Sequence, residues 1–310
     1  MGAIGEIRVL YAIEGTHGTE QVPTAAWRGT AELLRVQDTA WADENVGSMS
    51  DHVRAYVQSL GSKGKLASDA LTYEGLVTAF QMIFEEVVAA PAKTYTWLPD
   101  ISAVLDPASL TLQYGPEDKM YQSIYVIATD LKLKMAGQKA WTADISIAGQ
   151  SPTSEAAAAV TNAVETALLT GETSVYIDDT WAGLGGSKIS GYVIDAEWSL
   201  PGYHQKYFMQ GSLEPTSHGQ DRRHATLKML VEFNSVQEAI ERAAWEALTP
   251  RFIRIYSEHL AATATLDGCY LVTDLSTLKS GKGNIQAEYT LESYQDPTSG
   301  YEYGAVVVTP

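Results

Sequence analysis

Cysteine occurs once in this 310-residue sequence, at Cys269, which excludes an intrachain disulfide and a Cys-rich zinc site. The residue lies beside Tyr270 and Leu271 in a strand-like run, where a free thiol packs as a small hydrophobe, so a buried and inert role is expected. Positive charge is also scarce: 21 Lys+Arg against 38 Asp+Glu give a formal charge of -17. Nucleic-acid affinity comes from Lys and Arg displacing counterions from phosphates, so tight duplex wrapping is disfavoured. No run approaches the ~18 apolar residues of a membrane span. Met1 to Leu10 lacks the long apolar segment of a signal peptide, and synthesis in a reducing cytosol is the default expectation.

The motifs of common chemistries are missing as well. Lys63-Gly64-Lys65 and Gly281-Lys282-Gly283 lack phosphate-loop spacing. Gly183, Gly185 and Gly186 have no following helix with a ribose-binding acid. His204, His218 and His224 match no metal-ligand spacing and read as surface histidines. Asp178 and Asp179 are neighbours at a strand end and point to opposite faces, which suits a turn better than a paired-carboxylate site. No Ser sits in a nucleophile elbow. The sequence therefore predicts no catalytic residue, no cofactor and no metal.

What is present is a composition of 45% hydrophobic and 19% charged residues, which is that of a globular chain, and an internal repeat. Thr129-Asp130-Leu131 falls on Thr273-Asp274-Leu275 at a shift of 144, and the register continues without a gap to Ile147 on Leu291. Trp141, Ala143, Ile145 and Ile147 alternate with polar residues, as do Ile285, Ala287, Tyr289 and Leu291, so each copy predicts a half-buried hairpin. At a shift of 164, Leu76, Ala79, Phe80, Ile83 and Phe84 fall on Ile240, Ala243, Ala244, Ala247 and Leu248. That is the stripe of a helix laid on a core, with Ser235 and Glu238 as a capping box in the second copy. The difference between the two shifts places a loop insertion of 20 residues around Glu86 to Tyr121. Upstream, a shift of 157 puts Gly29, Val36, Asp38 and Trp41 on Gly186, Val193, Asp195 and Trp198.

Each copy then reads strand, strand, helix, strand, hairpin. The expected fold is mainly β (α+β): two tandem β-sandwich or rolled-sheet domains, each with one flanking helix. Their expected bounds are 1–150 and 175–310, joined by an Ala-rich linker, 151–174, with a short helix. Pro201 to Arg223 reads as a long hairpin or projecting loop, Asn45 to Lys63 is its polar equivalent in the first copy, and loops this long usually have a job. Contact with a neighbouring subunit is the favoured one.

The segment Tyr11-Ala12-Ile13-Glu14-Gly15-Thr16-His17-Gly18-Thr19, with Val22-Pro23 after it, resembles the start of major tail tube proteins of long, non-contractile phage tails. The strands from Gly29 to Trp41, the passage from Gly64 to Phe84 and the hairpin from Ile124 to Gln150 are similar too. The resemblance implies sandwiches that form stacked rings around a channel for genome delivery, with neighbouring inner sheets joined into a barrel. Members with one such domain form hexamers. Two domains per chain imply a trimeric, pseudo-hexameric ring.

Further expectations follow from the resemblance. Asp130, Asp144, Asp274 and Glu288 are candidates for the lumen, where acids would let double-stranded DNA pass without tight binding; an outer solvated face is the alternative. Axial contacts between rings would come from His204, Tyr207, Phe208, His218 and an exposed C-terminal tail including Val306 and Val307. Partners would be further copies, a tape measure, a terminator and a distal tail protein, with no membrane. The protein would reside in the virion, and in the host cytoplasm during assembly. The competing readings are a carbohydrate-binding module using Trp181, Trp198 and Tyr203 as a stacking platform, another tail ring component, and a hydrolase with a dispersed acidic site.

Overall fold

Period-two alternation becomes strands throughout the chain. The computed structural model describes residues 7–43, 52–85, 87, 93–98, 105–161, 163–189, 193–207, 211–220, 223–275, 278–280 and 285–310. The first half contains β1 (Ile7–Ile13), β2 (Ala25–Ala26), β3 (Thr30–Asp43), β4 (His52–Ser68), α1 (Tyr73–Ile83), β5 (Thr94–Trp97), β6 (Leu110–Pro116), β7 (Met120–Ala136), β8 (Thr142–Gly149) and β9 (Thr153–Glu155). The second contains β10 (Thr173–Asp178), β11 (Val193–Pro201), β12 (Tyr203–Lys206), β13 (Ser217–Gln220), β14 (Thr226–Glu232), α2 (Ser235–Glu246), β15 (Arg251–His259), β16 (Ala262–Leu275), β17 (Lys279–Ser280), β18 (Ile285–Ser293) and β19 (Tyr303–Val308). The fold is mainly β, and none of its described helices is long and apolar enough to cross a membrane.

Eight strands follow one another in a single antiparallel sheet, in the order β3-β4-β8-β7-β11-β14-β18-β16. The N-terminal part of β7 turns out of this sheet to pair with β6 and β9, and β6 pairs with β1. The N-terminal part of β16 does the same with β15 and β19, and β15 pairs with β10. The two halves therefore share one strand order. A single hydrophobic core runs through both, from Val9 and Trp27 to Tyr303 and Val307.

The repeat extends to an irregularity. In the β7–β8 ladder Ala128 faces Ile147 and Asp130 faces Ser146, so Thr129 is an extra residue; in the β16–β18 ladder Val272 faces Leu291 and Asp274 faces Thr290, so Thr273 is extra. All four pairs correspond at a shift of 144. The phrase Thr-Asp-Leu thus marks a β-bulge, which bends a strand and raises its local twist at the point where each long strand passes between two sets of partners.

The upstream correspondence needs correction. Leu33 faces Gly64, which faces Ile147; Trp198 faces Leu227, which faces Leu291. Leu33 is therefore equivalent to Trp198, a shift of 165 and not 157. The two shifts differ by eight, and an even slip leaves an alternating pattern on the same faces, so periodicity could not separate them.

Other expectations change too. The insertion after α1 contains β5, which pairs with β19 of the other half. The described part of 151–174 holds β9 and a single 3-10 turn, Thr170–Glu172, with no α-helix. There Gln113 binds the chain through Ala156 O and Ala158 N, a tertiary contact of the kind that overrides the helical preference of alanine. Of Asn45 to Lys63, the described residues from 52 onward form one arm of the β3–β4 hairpin. In the Pro201 to Arg223 stretch the hairpin reading holds and the projecting one does not for the described residues: β12 and β13 pair as a hairpin lying on the first half, with Leu60 N donating to Leu213 O. The C-terminal strand β19 lies between β16 and β5, with Val307 fully buried and Val306 half-buried, so no exposed tail exists there.

The helices differ in environment. Thr72 caps α1 by accepting from Gly75 N, and nearly every α1 side chain is buried. Asn234, not Ser235, caps α2, accepting from Val236 N and Gln237 N. Only Glu241 and Ala244 of α2 are buried. Ile240 and Leu248, expected in its core stripe, are 45% and 70% exposed, with Val236 and Trp245 also exposed.

Candidate functional site

Among the described residues, the two outermost strands of the eight-strand sheet have a partner on one side only. Among the described residues β3 pairs only with β4, and the C-terminal part of β16 pairs only with β18, because β19 reaches no further than Gly268. These edges end the eight-strand sheet. Between them, at its middle, lies the contact they would make with each other's equivalents: β7 pairs with β11 from Asp130↔Pro201 to Ala136↔Asp195. By the repeat, β7 corresponds to β16 and β11 to β3. One molecule contains a half-to-half contact and, at its two edges, the counterparts of the strands that make it.

The sheet face opposite the core is polar. Ladder positions and parity put Asp130, Asp144, Asp274 and Glu288 all on it, away from Leu131, Ile145 and Leu291. Its charge is mixed. Lys65 Nζ lies 2.6 Å from Asp144 Oδ1, Lys132 Nζ 3.7 Å from Asp130 Oδ2, and Lys134 Nζ 3.7 Å from Asp195 Oδ2. Burial raises the Asp130 carboxyl pKa, with Lys132 opposing and Asp144 adding to the shift. Glu288 lines a shallow groove of about 270 Å³ with Lys134, Asp195, Glu197 and Lys228.

The opening segment has a structural centre that sequence reasoning did not find. Glu14 is 3% exposed, and its carboxylate accepts from Gly18 N (2.8 Å), Ser109 Oγ (2.6 Å), Thr111 Oγ1 (3.0 Å) and Tyr125 N (2.8 Å). Tyr125 has φ 54, a left-handed conformation costly for a residue with a side chain, at the place where β7 changes partners. The resulting turn brings His17 against Asp106, with Nε2 2.8 Å from Oδ1 and Nδ1 2.8 Å from Ser109 Oγ. His218 of β13 arrives from the other half, its Nδ1 2.9 Å from Tyr125 Oη and its Nε2 3.7 Å from the same Asp106 oxygen. Burial and the neighbouring His17 lower the His218 pKa, and Asp106 opposes them. These three residues lie 89 or more positions apart, which is why histidine spacing gave no hint of them.

The remaining candidates are dispersed. His204 is exposed on β12, Tyr207 is 46% exposed, and Phe208 lies outside the described residues. Trp198 and Tyr203 are each 2% exposed, donating to Tyr270 Oη and Phe84 O, while Trp181 packs on Phe252 and Tyr301. They form no stacking platform. Asp178 accepts from the backbone N–H groups of Gly185, Gly186 and Ser187, the turn role expected of it. Cys269 is buried, and burial first, with Asp296 and Glu302 adding, pushes its thiol up to about 12. The chain matches no protein-family model and no curated protein sequence.

Proposed function

We propose that this chain is a structural subunit of a ring-stacking tube, the major tail tube protein of a long, non-contractile phage tail. The observation carrying the reading is the β7–β11 ladder, which joins two topologically equivalent halves edge to edge while, among the described residues, no strand pairs with the outer edges. Exposed edges are association sites unless covered. A head-to-tail contact that repeats and closes makes a ring. With two halves per chain, six positions need three chains.

Eight strands per chain then give a closed sheet of 24 in the trimer. In this reading the polar face lines the channel, and its interleaved Lys and acidic residues present DNA with no continuous positive track. The phage assignment rests on the resemblance of the opening segment. Partners would be further copies, a tape measure, a terminator and a distal tail protein, and the site of action the virion.

Negative-stain electron microscopy of the purified protein tests the proposal. Rings or tubes of even width are the expected result. A species that stays monomeric at every concentration, including with tail initiator complexes added, would overturn it.

A further inference from the structure

The convergence of His17, Asp106 and His218 has the composition of a metal site. One ligand atom from each lies within 4.8 Å of the others. Ligands about 2 Å from a zinc ion sit roughly 3.3 Å from one another in a tetrahedron. The two measured approaches to Asp106 Oδ1, 2.8 and 3.7 Å, fall on either side of that spacing.

The surrounding hydrogen bonds supply an independent argument. Ser109 Oγ donates its only proton to Glu14 Oε2, so it can only accept at its contact with His17 Nδ1. Nδ1 therefore carries the proton. That leaves Nε2 facing the Asp106 carboxylate at 2.8 Å, a contact that either a second ring proton or a bound cation makes favourable. His218 is oriented in the same manner, with Nδ1 on Tyr125 Oη and Nε2 toward Asp106. Metal-binding histidines are typically held this way, the far ring nitrogen fixed by a hydrogen-bond partner and the near one aimed at the ion.

We propose that His17 Nε2, His218 Nε2 and an Asp106 carboxylate oxygen bind one divalent transition-metal ion, Zn²⁺ being the best fit to two imidazoles and a carboxylate, with water in the remaining position. The ion pins the β12–β13 hairpin of the second half to the turn around Glu14 in the first. Its role is structural, and it does not depend on ring formation.

Calorimetric titration of the EDTA-stripped full-length protein with zinc chloride tests this. One Zn²⁺ per chain should bind in the micromolar range or tighter and raise Tm by a few degrees. H17A and H218A should each weaken binding at least tenfold. Because either variant also removes a packed ring, the decisive one is D106A: that side chain is 78% exposed, so its loss leaves the fold intact and should abolish both the binding and the Tm rise. H259A, whose ring contacts Glu172, should bind as the parent does. Absence of saturable uptake below about 100 μM Zn²⁺, equal binding by D106A, or loss of binding in H259A would each overturn the site.

Discussion

Glu14 is a buried charge held by donors. Four hydrogen bonds converge on its carboxylate, and one of them fixes the left-handed Tyr125 at the bend of β7. Charge-assisted bonds of this kind are worth more than neutral ones, and removing the acceptor leaves several buried donors unsatisfied at once. Substituting glutamine replaces one acceptor oxygen with an NH₂ that faces donors. Glu14→Gln should lower stability by about 2–4 kcal/mol, seen as a reduced urea midpoint with an unchanged m-value. A loss under about 0.5 kcal/mol, the range of ordinary surface changes, would show that the network is dispensable.

At the scale of elements, the two helices are equivalent in position and opposite in exposure. α1 and its C-cap Phe84 pack on their own half, Phe80 and Phe84 against Trp97, and the second half of the molecule closes over them. Phe80 meets Trp198 of β11, Phe84 meets Tyr303 of β19, the Tyr73 hydroxyl lies 3.4 Å from Ser257 of β15, and Tyr203 and Arg223 donate to Phe84 O and Ile83 O. In the proposed ring the half that would stand in that relation to α2 belongs to another copy, an arrangement that would cover Val236, Ile240, Trp245 and Leu248, which face outward in the single chain. The double variant Ile240→Glu with Leu248→Glu should leave monomer stability within about 0.5 kcal/mol and raise the concentration needed for assembly at least tenfold, as measured by light scattering. Assembly at the parent concentration would remove α2 from the interface. The sequence made the strands, the hairpins and both helices legible because alternation and the helical stripe are local signals. The repeated Thr-Asp-Leu set the register of the repeat, but that it stands at two bulges emerged only from the ladders. The sequence missed the true offset of β3 and β11, since an even slip preserves the pattern, and it assigned Ile240 and Leu248 to a core because an apolar stripe looks the same whether its partner is the same chain or another. The four polar-face acids were found by parity alone, whereas Glu14, His17, Asp106 and His218 come together only through tertiary folding.

For the whole molecule, the intrachain ladder predicts the register of the contact between molecules. Asp130 faces Pro201 where β7 meets β11. Adding 144 to the first and subtracting 165 from the second puts Asp274 of one copy opposite Val36 of the next. Residues directly opposed in an antiparallel pair have Cα atoms about 4.5–5.5 Å apart, within reach of a disulfide. The native Cys269 is buried and its thiol is pushed up to about 12, so it does not compete for oxidation. Val36→Cys with Asp274→Cys in one chain should therefore yield a covalent ladder on mild oxidation of assembled protein, ending at three chains when the ring closes. Shifting one cysteine by a single residue, as in Arg35→Cys with Asp274→Cys, turns the side chains to opposite faces and should abolish the ladder. A ladder that continues to six chains would give each chain one position in the ring where the repeat gives it two. No cross-linking in rings visible by microscopy would mean that the molecules join by some contact other than the one already made between their halves.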